Sequence, residues 1–295
     1  MMKIIILGAG GIGSLYGAKL SKFNDVTLVG RQEHVDEVNK SGLKITGLEN
    51  NTYKLRAATK IEKIEDNTLI LLTTKVYDSK EAIGGIKNLI KKDTVILCLQ
   101  NGLYSENIVK DAVKGCLVLR GITNVGVAFL EPGVIRYNTT SYTAIEKSRI
   151  SNELVDMFKK CGFDSYVSEN IKKDDWKKLI INCLINPVST ILGKENRAVA
   201  DEKLNPLKKL IVDECLKVAE KEGVKLDIDF VKMVDEMIKE SRNISSMQQD
   251  IIKGKKTEID FLNEAVVGLG RKYGVKCLVN EGLVMIIKGM ENRKR

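Results

Sequence analysis

A chain of 295 residues is longer than one hydrophobic core usually serves, so two domains are expected. The formal charge of +9 comes mainly from lysines spread along amphipathic segments, with one basic cluster at Arg293-Lys294-Arg295, a pattern that argues against a nucleic-acid partner and leaves a modest pull on anionic substrates. No apolar run reaches the roughly 18 residues of a membrane span and the N-terminus lacks the shape of a signal peptide, so a cytoplasmic protein with no membrane partner is expected.

Four apolar residues, Ile4-Ile5-Ile6-Leu7, read as a buried strand that runs into Gly8-Ala9-Gly10-Gly11-Ile12-Gly13 and then a helix over 12–22. In such a G-x-G-x-x-G turn the first glycine permits the sharp exit from the strand. The second lets a pyrophosphate approach the backbone, and the third lets the helix pack on the sheet. The positive end of the helix dipole then faces the phosphates. Gly8, Ala9, Gly10, Gly11, Ile12 and Gly13 are therefore expected to hold a dinucleotide. The next strand, 25–31, ends in Arg31 where an acidic residue would bind the ribose of NAD. A guanidinium there suits a 2′-phosphate, which makes NADP (NADPH) the expected cofactor; a solvated surface arginine is the other reading.

Strands are expected at 43–47, 53–58, 69–74 and 94–98 with a helix over 78–90, an order that gives a parallel doubly wound sheet. Strands at 116–122, 125–130, 134–137 and 143–145 read as antiparallel, with a turn at Glu131-Pro132-Gly133. From 169 onward the pattern is helical. The expected architecture is thus a Rossmann-type α/β domain at 1–168 followed by an all-α domain at 169–295. Ligands meet such sheets outside the carboxyl ends of the strands, where Lys75 and Asn101 stand after two buried strands; each also reads as a cap or a solvated loop residue. The one histidine, His34, falls in a polar loop, which argues against a histidine acid, base or nucleophile partner. Six cysteines without a C-x-x-C pair read as reduced core residues, not as disulfides or a metal site.

Within 176–187, Lys178, Asn182 and Asn186 fall four residues apart and share one face of an otherwise apolar helix, which Pro187 is expected to end or kink at Asn186. Unpaired buried polar groups cost about 1–3 kcal/mol each, so this face must find partners in a ligand or in a polar seam of the protein. Farther on, Ser246 and Thr257 read as helix caps and Glu258 as a first-turn acid, which leaves the density of polar residues over 243–260 unexplained.

Together these motifs resemble the ketopantoate reductase (2-dehydropantoate 2-reductase) family: the glycine-rich opening with Arg31, then Lys75, Gln100-Asn101-Gly102, Lys178-x-x-x-Asn182-x-x-x-Asn186-Pro187, and Ser245-Ser246-Met247-x-x-Asp250 followed by Thr257-Glu258-Ile259-Asp260. The similarity runs nearly end to end. It implies NADPH-dependent reduction of 2-dehydropantoate to pantoate, in pantothenate and coenzyme A biosynthesis. By this resemblance Lys178 is the general acid, and Asn101, Asn182, Asn186, Asn196 and Ser246 contact the substrate. Arg31, Lys75, Asn101, Gly126 and Glu258 lie beside the cofactor with the glycine-rich loop. The implied partner is a small anionic keto acid, with no metal and with a homodimer as the candidate assembly. Two other readings stay open: reduction of a different 2-keto or 3-oxo acid through the same lysine, and NADP sensing without turnover, which would need no proton donor.

Overall fold

A computed structural model describes residues 2–291, so the basic cluster Arg293-Lys294-Arg295 lies outside the described residues. The chain divides into two compact units, one of residues 1–100 with 104–171 and the other of 101–103 with 172 onward.

The first unit contains strands β1 (Lys3–Leu7), β2 (Asp25–Val29), β3 (Leu43–Gly47), β4 (Asn51–Tyr53), β5 (Arg56–Ala58), β6 (Thr68–Leu72), β7 (Val95–Cys98), β8 (Leu117–Thr123), β9 (Gly126–Glu131), β10 (Val134–Thr139), β11 (Tyr142–Glu146) and β12 (Asp164–Ser168). Its helices are α1 (Gly11–Leu20), α2 (Gln32–Ser41), α3 (Ser79–Gly84), α4 (Ser105–Ala112) and α5 (Ser151–Lys160). The larger sheet runs β12-β11-β8-β7-β6-β1-β2-β5, parallel from β8 to β5, with β11 antiparallel to β8. Lys3 stands opposite Asp25 on one side and Thr68 on the other, so the chain order reverses about β1. This is the Rossmann-type doubly wound arrangement, whose switch point lies between β1 and β6. Both strands are buried on their two faces, which is why they read as unbroken apolar runs. Alternate residues feed opposite layers. Ile4 and Ile6 cluster with Leu15 and Tyr16 of α1 and Phe158 of α5, whereas Ile5 and Leu7 cluster with Ile83 of α3 and Val109 of α4.

A second sheet runs β4-β3-β10-β9, in which β9 and β10 form an antiparallel hairpin through Gly133, at φ +75°, and β10 is parallel to β3. The expected strand 53–58 is therefore two strands in two sheets, and the expected antiparallel strand 116–122 is antiparallel to β11 on one side but parallel to β7 on the other. The expected helix 78–90 stops at Gly84, since two successive glycines carry a high entropy cost in a helix, and turns follow.

Every described element after 171 is helical: α6 (Ile171–Leu192), α7 (Asn205–Lys221), α8 (Phe230–Ile238), α9 (Ser246–Ile252), α10 (Asn263–Tyr273) and α11 (Leu278–Glu291), with short 3-10 turns between them. Fully buried Lys208 of α7 donates to both carboxylate oxygens of Asp235 in α8, at 2.6 and 2.7 Å, a pairing that offsets the desolvation of its charge. The helix does not end at Asn186: α6 continues through Pro187 to Leu192. Among the described residues no helix is long and apolar enough to cross a membrane.

Candidate active site

At the exit of β1, Gly8 has φ +113°, a conformation that side chains disfavour. Its N–H and that of Ala9 donate to the Val29 carbonyl at 3.0 and 2.8 Å, while Thr73 Oγ1 donates to the Gly8 carbonyl at 2.8 Å. The turn is thus tied to the strands on either side of β1. Gly13 leaves no room for a side chain: a Cβ there would overlap the Gly8 carbonyl oxygen and lie 2.5 Å from Thr73 Oγ1. Gly10 differs. It is exposed, and a Cβ built on it meets nothing within 4 Å, so no contact inside the protein demands glycine there. What its missing side chain leaves open is the approach to the N-terminal N–H groups of α1, whose first turn carries no acidic residue. These residues fit the pyrophosphate of a dinucleotide.

Arg31 is exposed at the N-cap position of α2, and among the described residues its guanidinium has no partner. Lys75 is half-buried at the head of the 3-10 turn that follows β6. Gly126 opens β9, where a Cβ would come within 3.1 Å of Thr139. His34 is not in a loop: it lies in α2 and is buried, because it shares the inner face of that helix with Val35 and Val38. The Gly133 N–H donates to its Nδ1 at 3.0 Å, so Nε2 carries the proton and faces Ser14 Oγ at 3.1 Å, and that hydroxyl donates to the Ala9 carbonyl at 3.3 Å. Burial lowers the imidazole pKa below its ordinary value. A neutral imidazole therefore supports the glycine-rich turn from behind.

After β7, Gln100 Nε2 donates to the Thr74 carbonyl and hydroxyl, both at 3.0 Å, and to Ser79 Oγ at 2.6 Å. The Gln100 carbonyl accepts from Arg120 Nη1 at 2.7 Å; the same nitrogen reaches the carbonyls of Cys98 and Gly121 at 3.1 and 3.0 Å. Arg120 was not picked out from the sequence, although a charged residue inside the apolar strand β8 is itself the signal, since a guanidinium buried to 2 % exposure must be hydrogen-bonded. All six cysteines are free. Burial pushes the Cys98 thiol up to about 12 and Cys183 well above its usual range, so neither is a thiolate nucleophile.

In the second unit Asn101 Nδ2 donates to Glu258 Oε2 at 3.1 Å. Glu258 is buried, and its neighbour Thr257 is clamped by Glu291, whose Oε1 accepts from the Thr257 N–H at 2.7 Å and from its hydroxyl at 2.6 Å. Thr257 Oγ1 also accepts from the Ile259 N–H at 3.2 Å, while the N-cap position of the 3-10 turn that follows falls on Glu258 rather than on Thr257 as expected. Gly102 has φ +88°, and a Cβ there would lie 2.7 Å from the Phe261 carbonyl. Asn101 is thereby held close to the 3-10 turn beside Glu258.

On α6, Lys178 and Asn186 are each only 7 % exposed and Asn182 is half-buried, while Trp176, Leu179, Ile180, Cys183 and Leu184 fill the apolar surroundings. Among the described residues the side-chain amides of Asn182 and Asn186 have no hydrogen-bond partner. The cap of α9 is Ser245 rather than Ser246: Ser245 Oγ accepts from the Gln248 N–H at 3.2 Å and from Ser189 Oγ at 2.9 Å, which ties α9 to α6. Of two adjacent serines only one can take the extended N-cap conformation, and Ser246 is left exposed at the first helical position. Asn196 donates its backbone N–H to the Asn243 carbonyl at 2.8 Å, and among the described residues its buried Oδ1 has no partner. This unit therefore displays an ammonium, amides without protein partners and a free-facing hydroxyl, a donor set suited to a carboxylate, a hydroxyl and a carbonyl oxygen.

The family model for ketopantoate reductase PanE/ApbA matches residues 4–149, and the model for the C-terminal part of the same family matches 170–291. A 2-dehydropantoate 2-reductase of Pyrococcus horikoshii is 36% identical over 99% of this chain and 98% of its own length. One from Archaeoglobus fulgidus is 31% identical over 99% of both. Among solved structures, a PanE/ApbA family ketopantoate reductase from Ralstonia eutropha matches with a TM-score of 0.92 at 28% identity, and D-mandelate dehydrogenase with NADH and anilino(oxo)acetate with 0.91 at 28%, each over 99% of both chains. Matched by both family models and by relatives over nearly its whole length, this chain belongs to the ketopantoate reductase family.

Proposed function

We propose that this protein reduces 2-dehydropantoate to pantoate with NADPH, with Lys178 as the general acid. The observation that carries this reading is the face of α6, where the Lys178 ammonium is followed one and two turns on by the amides of Asn182 and Asn186, which among the described residues have no hydrogen-bond partner, with only apolar residues between the three. Residues 1–168 serve the cofactor and 169–295 the substrate and the chemistry. Gly8 to Gly13 hold the pyrophosphate, and Arg31 pairs with the 2′-phosphate of NADP, supported by Lys75; Gly126 and Glu258 lie beside the rest of the cofactor. When bound, the nicotinamide supplies the hydride that reduces the keto carbon. Lys178 stabilises the negative charge that grows on the carbonyl oxygen and then protonates it. Asn182, Asn186, Asn196 and Ser246 orient the carboxylate and hydroxyl of the substrate. Asn101, with one N–H committed to Glu258, has a second for the ligand.

The likeness to D-mandelate dehydrogenase favours one further reading, reduction of an aryl 2-keto acid on the same α6 face. Initial rates with 2-dehydropantoate and with 2-oxo-2-phenylacetate, each with NADPH and NADH, separate the two. A higher kcat/KM for 2-dehydropantoate with NADPH is expected; preference for the aryl acid would replace the first reading with the second. Tight NADPH binding with no turnover of either acid would instead indicate a sensor.

A further inference from the structure

Pro187 has no N–H, so the helical hydrogen bond from residue 187 to the carbonyl of Cys183 is missing, and the proline ring also crowds that carbonyl. Such a site is where a helix kinks sharply. It lies between Asn182 and Asn186, so a kink there would carry Asn186 off the face it shares with Lys178 and Asn182. The structure supplies a replacement donor from another helix. Asn263, fully buried at the start of α10, donates through Nδ2 to the Cys183 carbonyl at 3.1 Å. Its second Nδ2 hydrogen goes to Asn280 Oδ1 at 2.9 Å, and Asn280, also fully buried, donates to Glu214 Oε2 at 2.7 Å. Glu214 in turn accepts the N–H groups of Val279 and Asn280 at 2.9 and 3.0 Å, which fixes the start of α11. Among the described residues Asn263 Oδ1 has no partner. A buried amide with an orphaned oxygen is costly, so its presence points to the donor side of the group as the feature that is used.

We infer that Asn263 is a positioning residue: its amide takes the place of the helix bond that Pro187 removes, and so keeps Lys178, Asn182 and Asn186 in register on α6. The inference rests on the proposed role of that face, and its test has a readout that does not. Four proteins are compared, the wild type, N263A, P187A and P187A/N263A, by the bend of α6 in crystal structures, by kcat and KM for 2-dehydropantoate, and by the dissociation constant of NADPH. In N263A the bend of α6 at residue 187 is expected to exceed that of the wild type by more than about 20°. The kcat/KM for the keto acid should fall at least about tenfold, because misplacement by an ångström is enough to lose about 10²-fold, while NADPH binding stays within about twofold. Restoring the N–H with P187A gives the Cys183 carbonyl a helical partner, so P187A/N263A should show a straight α6 and a kcat/KM within about threefold of P187A. A straight α6 in N263A, or an equal loss of kcat/KM in both backgrounds, overturns the inference. If N263A does not fold, the pair P187A and P187A/N263A decides: a folded double variant with the kinetics of P187A supports it, and a double variant that also fails to fold overturns it. A wild type without activity on 2-dehydropantoate defeats the functional reading alone, since the bend of α6 still tests the role of Asn263.

Discussion

At the scale of single residues, Lys178 and its neighbour separate chemistry from charge. Lys178→Ala is expected to lower kcat by about 10²-fold, as loss of a general acid does, with NADPH affinity little changed. Lys177 lies about 100° round the helix from Lys178 and off the asparagine face, so Lys177→Ala should change turnover little. Steady-state kinetics of both variants check this; loss of turnover in Lys177→Ala with retention in Lys178→Ala would show that the helical face has been misassigned. Arg31→Ala should weaken NADPH by about 1.5–3 kcal/mol and NADH much less, and equal losses in fluorescence titrations would mean that Arg31 does not read the phosphate. His34 acts on stability. Its pKa is lowered in the folded state, so between that value and the ordinary value of about 6.5 the unfolded chain binds the additional proton. Its contribution is complete above about pH 6.5 and is lost as the pH falls through that window. Urea unfolding at about pH 7.5 and about pH 5.5 should show this loss in the wild type and a smaller one in His34→Asn, which cannot titrate. Equal losses would assign the acid sensitivity to other groups.

At the scale of elements, two glycines in one turn carry opposite expectations. Gly13→Ala meets the Gly8 carbonyl and should lower the melting temperature, because backbone must move. Gly10→Ala meets nothing within 4 Å, so stability should change by no more than about 1 kcal/mol while dinucleotide affinity falls. Thermal melts with and without NADPH check the pair, and unimpaired NADPH binding by Gly10→Ala would remove Gly10 from the phosphate site. The turn was legible in the sequence because strand, glycines and helix are contiguous and their demands are local. Pairing was less so: whether β5 joins β2 or β4, and whether β8 runs parallel to β7, depends on partners distant in the chain. The uninterrupted α6 is the sharpest instance. Pro187 by itself says that the helix should end or kink, and the donor that compensates stands 80 residues from Cys183 in sequence. The burial of His34 was readable, in contrast, from Val35 and Val38 on the same face of α2. Likewise the cap at Ser245 hung on a choice between adjacent serines that only the backbone conformation makes.

At the scale of the whole molecule, the fold is shared with a D-mandelate dehydrogenase over 99% of both chains, so the fold does not choose the substrate; side chains do. If the α6 amides and Ser246 bind the hydroxyl of 2-dehydropantoate, a substrate without that hydroxyl leaves them desolvated and unpaired. The most direct test is therefore the ratio of kcat/KM, with NADPH, for 2-dehydropantoate against 2-ketoisovalerate, which lacks only the hydroxymethyl group. The proposed site predicts a preference for 2-dehydropantoate of several orders of magnitude, up to about 10⁴-fold, the range reached by sites that hydrogen-bond a substrate hydroxyl. Comparable values for the two acids would contradict it and leave a general keto-acid reductase.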